Sequence, residues 1–221
     1  MDKKVQTRIN EKALPRIVVL LVILGSLTVA MGIKYGVDNH AKAVRAGENS
    51  ERALTKIMAL RRSSEIERTR EHRDGISTEI GSGESSVELR QEFPVVFIDG
   101  TGYIGTLEIE EIDLILPVIS TWEGDNLSKA PCRYFGCYPD DFVIAAHNYR
   151  SQFGGLSSLS LGDSIIFEDM NGNVFQYTVE ALEIVGAYDS EKIIEGNPAL
   201  TLFTCTDGGK MRFAVRCSLV S

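Results

Sequence analysis

The stretch Leu200-Thr-Leu-Phe-Thr-Cys205, followed by Thr206, Asp207-Gly-Gly-Lys210 and Met211-Arg-Phe-Ala-Val-Arg216, decides how the C-terminal half of this chain folds. Two runs rich in β-forming residues flank a Gly-Gly pair, a favoured two-residue hairpin loop. With Gly208 and Gly209 as the loop, Asp207 opposes Lys210, Thr206 opposes Met211 and Cys205 opposes Arg212. Arg216 then falls opposite Thr201. Directly opposed residues share a face, with Cβ atoms about 5 Å apart. Turn chemistry alone therefore sets a thiol beside a guanidinium. A fixed positive charge stabilises a thiolate and can hold an oxyanion developing on an attacked carbonyl. A structural thiol beside a surface arginine is the competing reading.

Outward from this hairpin the same texture continues. Short β-rich runs occur at Val95–Ile98, Gly105–Ile109, Asp113–Ile119, Phe142–Ala146, Ser164–Phe167 and Val174–Val179. The last two are separated by Asn171-Gly172, a strong turn signal. With the opening pair these make eight short strands and few helices, so a mainly β, closed or nearly closed barrel of about eight strands is expected over residues 93–221. About 130 residues suffice for one core.

Within this region His147 ends an apolar run, where a strand end can project it into a site; the other two histidines, His40 and His72, lie far upstream. A hydrogen-bonded structural histidine is the alternative. Cys132 and Cys137 bracket Arg-Tyr-Phe-Gly in what reads as a loop, either as free thiols or as a small disulfide; zinc would need further ligands that the sequence does not offer. Strand alternation turns Cys217 to the face opposite Cys205 and into the core. Glu108, Glu110, Glu111 and Asp113 read as a solvated charged face rather than a cation site.

The N-terminal part is organised differently. Residues 17–33 run without a charge, near the lower limit for a membrane-spanning helix. Five basic residues precede that run against Asp2 and Glu11, which favours a cytoplasmic N-terminus for 1–16 and an external location for everything after Lys34. The rival is a cleaved secretory signal, whose apolar core is usually shorter. Residues 34–92 read as a stalk. Leu54, Ile57, Met58 and Arg61 keep helical spacing amid mixed charges, as on a solvated helix, and 75–86 turns to Gly, Ser and Glu like a flexible linker. The net charge of −8 is concentrated beyond residue 90, where seven basic residues face nineteen acidic ones. Such a surface argues against nucleic acid as a partner.

Three motifs then resemble one family in its own order. Thr201-Leu-Phe-Thr-Cys205 resembles the T-L-x-T-C signature that carries the sortase nucleophile. Val143-Ile-Ala-Ala-His147-Asn148 is similar to the stretch holding that family's catalytic histidine. Arg212, seven residues after the cysteine, corresponds to its essential arginine. Tyr103–Ile109, Leu116–Val118 and Gly154–Asp163 are also similar, so the resemblance covers roughly 93–217.

The resemblance implies a sortase β-barrel and a membrane-anchored cysteine transpeptidase acting on a C-terminal Leu-Pro-x-Thr-Gly-like sorting signal, with a thiol-protease-like hydrolytic half-reaction. Cys205 is then the nucleophile, His147 the general acid/base and Arg212 the oxyanion-holding and substrate-orienting group, with Thr204 and Asn148 as substrate-binding positions. The segment 186–198 corresponds to the loop that lines the substrate. The implied partners are sorting-signal-bearing surface proteins, with a cell-wall precursor amine or a pilin lysine as acceptor; no metal or cofactor is implied. An Asp-Pro-aromatic lid motif and a second apolar segment at the C-terminus are missing, which favours wall anchoring over pilin polymerisation. Papain-like proteases place cysteine before histidine, opposite to the order here, and the Ser-His-Gly-Cys motif of L,D-transpeptidases is missing. The non-enzymatic alternative is a membrane-tethered β-domain that binds a wall component.

Overall fold

The computed structural model describes residues 14–73, 92–138, 140–196 and 198–220. The expected flexible linker at 75–86 lies outside the described residues. Helix α1 spans Leu14–Arg73 without interruption, so the apolar run and the first part of the expected stalk are one helix. Pro15 sits in its first turn, where a missing N–H costs nothing. A break in contacts falls between Lys42 and Ala43. The apolar stretch ahead of the break is long enough to cross a membrane, and none of it is buried. Its large side chains point outward on every side, among them Leu20, Val22, Leu27 and Ile33.

The second unit holds nine strands: β1 (Val96–Ile98), β2 (Thr101–Ile109), β3 (Leu114–Ile119), β4 (Cys132–Phe135), β5 (Phe142–Ala145), β6 (Ser164–Asp169), β7 (Val174–Gly186), β8 (Leu200–Cys205) and β9 (Met211–Leu219). A short helix, α2 (Ser190–Ile194), separates β7 from β8. The order β2-β3-β4-β5-β8-β9-β7-β6 closes on itself through a β2–β6 pairing, giving an eight-stranded barrel; β1 hangs outside the ring on β2. The sequence pattern counts eight strands as well, but with one exchange. Cys132–Phe135, read there as a loop, is β4, and the Val95–Ile98 run is the appended β1.

Alternation sorts the side chains. Leu200 and Leu202 of β8, Val215 and Cys217 of β9, and Phe142 and Ile144 of β5 enter the barrel core. There Phe93 packs between Phe142 and Phe167, with ring centroids 4.7 and 5.0 Å away. The outward residues of the same strands, Val143, Phe203 and Ala214, form a second small cluster with Val185 and Ile193. That outer face carries the site.

Residues 43–61 of α1 lie against the barrel. Ala46, Ser50, Ala53 and Ile57, at the three- and four-residue spacing of one helix face, are all buried. Arg61 closes the contact. Its Nη1 donates to Glu168 Oε2 at 2.8 Å and Thr106 Oγ1 at 3.1 Å, and its Nη2 to the carbonyls of Glu168 and Asp169 at 2.9 Å each. Ile57 and Arg61 were expected on a solvated stalk; they face the barrel instead, and Met58 is the member of that set left exposed.

Candidate active site

Two strand pairings converge on Cys205. On one side β8 and β9 are antiparallel with Cys205 opposite Arg212, Leu202 opposite Val215 and Thr201 opposite Arg216. This is the register expected from the hairpin. The connection is longer than the two glycines, because the last paired backbone contact is Thr206 N–H to Met211 C=O at 3.0 Å, leaving Asp207–Lys210 as the loop. Gly208 and Gly209 both take positive φ, +81° and +71°, which a side-chain-bearing residue would resist.

On the other side β5 and β8 run parallel, with Phe142 opposite Leu200 and Ala145 opposite Phe203. Continued by two residues, this register brings His147 level with Cys205. Two hydrogen bonds extend the pairing past the strand end: Ala146 N–H to Phe203 C=O at 3.2 Å, and Thr204 Oγ1 to Ala146 C=O at 2.9 Å. Thr204 is buried and faces inward, opposite to Cys205. Its hydroxyl therefore ties the Cys205 strand to the residue just before His147.

Cys205, His147 and Arg212 line one pocket of about 280 Å³. It is also lined by Ala145, Phe203 and Thr204 from β5 and β8 and by Trp122, Leu127, Tyr134, Ala187 and Ile193. Trp122 lies 5.3 Å from Tyr134, and Tyr134 stands edge-on to Phe203 at 5.2 Å, an aromatic row leading to the thiol. Gly186, Ala187 and Ile193 come from the segment expected to line the substrate. The volume accommodates a few side chains, with apolar walls for grip and three polar groups for chemistry.

His147 and Arg212 are each held by their own neighbours. The backbone N–H of His147 donates to Gln152 Oε1 at 3.0 Å, and its carbonyl accepts from Phe153 N–H at 3.1 Å. Its ring lies 4.9 Å from that of Tyr149. Arg212 is steadied through Nη1, which donates to the carbonyls of Gly209 and Met211 at 3.2 Å each. Arg216 points the same way from β9 but serves another purpose. It pairs with Glu183 Oε2 at 3.2 Å and donates to the carbonyls of Lys192, Ile193 and Glu195, clamping α2 and the segment after it onto the sheet.

The thiols are also told apart. Cys205 is half-exposed, whereas Cys132 and Cys217 are buried free thiols, both pushed up to about 12 by burial. Since Cys132 is free, no staple joins it to Cys137; its Sγ lies 3.3 Å from the Ala130 carbonyl. Asn148 does not join the pocket. It lines a separate hollow with Glu111, Asp113 and Gly154, so the substrate contact expected of it has no support in the geometry. Among the described residues no group of three or more His, Cys, Asp or Glu side chains is arranged to hold a metal ion.

Trp122, Tyr134 and Gln152 escaped the sequence reading. Tyr134 was hidden by the cysteine pair that made its strand look like a loop, although Cys-Arg-Tyr-Phe is a permissible four-residue strand. Gln152 carried no local signal: its importance comes from the turn that folds it back beneath His147.

The model of the family described as Sortase domain matches residues 107–220. No curated protein matches the chain at a significant level. Among solved structures, sortase C1 of GBS pilus island 1 is 20% identical, with 53% of this chain and 64% of that chain covered and a TM-score of 0.48. Sortase C of Streptococcus pneumoniae is 26% identical, with 54% and 67% covered and a TM-score of 0.48. Sortase A of Corynebacterium diphtheriae is 25% identical, with 60% and 63% covered and the same TM-score.

Proposed function

Because this chain belongs to the sortase family, we propose that it is a membrane-anchored cysteine transpeptidase in which Cys205 is the nucleophile, His147 the general acid/base and Arg212 the oxyanion-stabilising group. The observation that carries this reading is the convergence on Cys205 of two independent strand registers, one leading to His147 and the other to Arg212.

The substrate is a surface protein ending in a Leu-Pro-x-Thr-Gly-like sorting signal, whose apolar residues suit the Trp122–Tyr134–Phe203 wall. The Cys205 thiolate attacks the Thr carbonyl carbon, and the electron pair of the C=O moves to oxygen, where the Arg212 guanidinium balances it. Collapse of the tetrahedral species breaks the Thr–Gly C–N bond, and His147 gives its proton to the departing amine. A thioacyl enzyme remains. An amine from a cell-wall precursor then attacks the thioester carbonyl. His147 removes the amine proton, the C–S bond breaks and the thiolate is regenerated. Water in place of the amine gives the hydrolytic half-reaction. A pilin lysine offers the same nucleophile, which is the alternative acceptor.

In this reading the apolar segment of α1 anchors the protein in the cell membrane, with the N-terminus cytoplasmic and the barrel outside. The acidic surface has no role for nucleic acid. The experiment is turnover of a panel of sorting-signal peptides in the presence of glycyl or lysyl amines. Amine-dependent ligation by the wild type, lost in Cys205→Ala, supports the proposal. Ligation that survives Cys205→Ala, or none with any peptide of the class, refutes it.

A further inference from the structure

Residues 43–61 of α1 precede the stretch that the family model matches, yet they touch the two loops that frame the pocket. Ser50 Oγ donates to the Lys129 carbonyl at 3.1 Å, at the end of the segment that supplies Trp122 and Leu127 to the wall. Ser151 Oγ donates to the Ala43 carbonyl at 3.1 Å. Ser151 stands immediately before Gln152, whose fully buried side chain accepts the His147 N–H, and Phe153 holds the His147 carbonyl. The path from helix to histidine is thus three consecutive residues long.

Gly47 is the second mark of this contact. A glycine in the middle of a helix costs about 1 kcal/mol relative to alanine. Here a Cβ would stand 3.2 Å from Ser151 Cβ, so the bare backbone is what lets the helix approach the loop this closely. Ala46, Ser50 and Ala53 on the same face are likewise small. Farther along, Arg61 bonds to the end of β6 and not to the loop after His147.

From these contacts we infer that α1 residues 43–50 are a positioning element for His147: the helix fixes the 147–153 loop through Ser151, and the loop fixes the backbone of the histidine through Gln152 and Phe153. This rests on the transpeptidase reading for its kinetic consequence but not for its geometric one. The helix therefore belongs to the catalytic unit, and its Arg61 end contributes to docking only.

The test uses the full chain with Gly47→Leu, Gly47→Ala, Ser151→Ala and Arg61→Ala. Each is scored by kcat and KM on a sorting-signal peptide, by Tm, by the rate of Cys205 alkylation with iodoacetamide, and by the NMR resonance of the His147 ring, one of three histidines in the chain. A displacement of about 1 Å at a reacting group can cost on the order of a hundredfold in rate. Gly47→Leu is expected to lower kcat by tenfold or more on that scale, with KM and the alkylation rate within about twofold. It should also shift the His147 resonance. Ser151→Ala shifts it in the same sense and lowers kcat less, and Gly47→Ala, whose single carbon needs only a few tenths of an ångström, recovers most of the rate. Arg61→Ala lowers Tm yet leaves kcat within about twofold and the resonance in place. A folded Gly47→Leu protein with wild-type kcat and an unmoved resonance overturns the inference, as does Arg61→Ala matching its loss of kcat. Should the wild type turn over no peptide, the transpeptidase reading falls, and the resonance alone decides whether the helix positions His147.

Discussion

Arg212 and Arg216 stand four residues apart on one face of one strand, and their surroundings separate them. Arg212 lies opposite Cys205 and borders the pocket; Arg216 lies opposite Thr201 and is consumed in holding α2. Loss of an oxyanion donor typically costs 10²–10³ in rate. Arg212→Ala should lose kcat on that scale in a folded protein, and Arg212→Lys should recover little, because lysine lacks the planar fork. Arg216→Ala should raise KM or lower Tm before it touches kcat; a larger kcat loss than Arg212→Ala would reverse the assignment. The buried thiols make a second residue-level statement. Cys132 and Cys217 stay protonated in the folded protein up to about 12, while in the unfolded chain they ionise from their ordinary value of 9.0. Burial raises Tyr103 and Tyr177 in the same sense. Between the two values the unfolded state binds fewer protons, so unfolding free energy falls as pH rises. The urea midpoint should drop as pH rises from about 9 towards about 12, and a midpoint that holds or rises would contradict the burial of these groups.

At the scale of elements, what was legible in the sequence was what is local. The Gly208-Gly209 turn fixed the β8–β9 register, and with it the Cys205–Arg212 pair, because a hairpin is specified by the residues inside it. The β5–β8 pairing is parallel, with more than fifty residues between its strands in the sequence. No turn residue encodes it, so the approach of His147 to Cys205 rested on motif order alone. β4 was missed for the related reason that a strand of only four residues shows little alternation of its own. The Thr204–Ala146 hydrogen bond is the element-scale tie between the strand of Cys205 and the end of β5 before His147. Thr204→Val keeps the shape and deletes the hydroxyl, leaving a buried carbonyl short of a partner at a cost of about 1–3 kcal/mol. Tm should fall, and kcat should fall with it as the end of β5 loosens. Thr204→Ser should restore both. Equal defects in the valine and serine variants would show that the hydroxyl is irrelevant.

For the whole molecule, the barrel and the long apolar helix were legible in the sequence, and one junction was not. The apolar segment and the barrel were both visible, one as an uncharged run and the other as short alternating strands. The docking of residues 43–61 was not, since Ala46, Gly47, Ser50 and Ala53 are too small and too mixed to form an obvious apolar stripe. Their role depends on close approach, which hydrophobicity patterns do not record. The charge excess ahead of residue 17 predicts an external barrel. A protease added to intact protoplasts should remove it, and complete protection of residues 92–220 would contradict that topology. Whether Cys205 carries the acyl group of a sorting signal is decided by the intact mass of the enzyme after incubation with a Leu-Pro-x-Thr-Gly peptide without an added amine. The expected product is an adduct equal to the peptide acyl portion ending at Thr, located on Cys205, released by hydroxylamine and lost in Cys205→Ala. An adduct on another residue, or one that persists in Cys205→Ala, would contradict it.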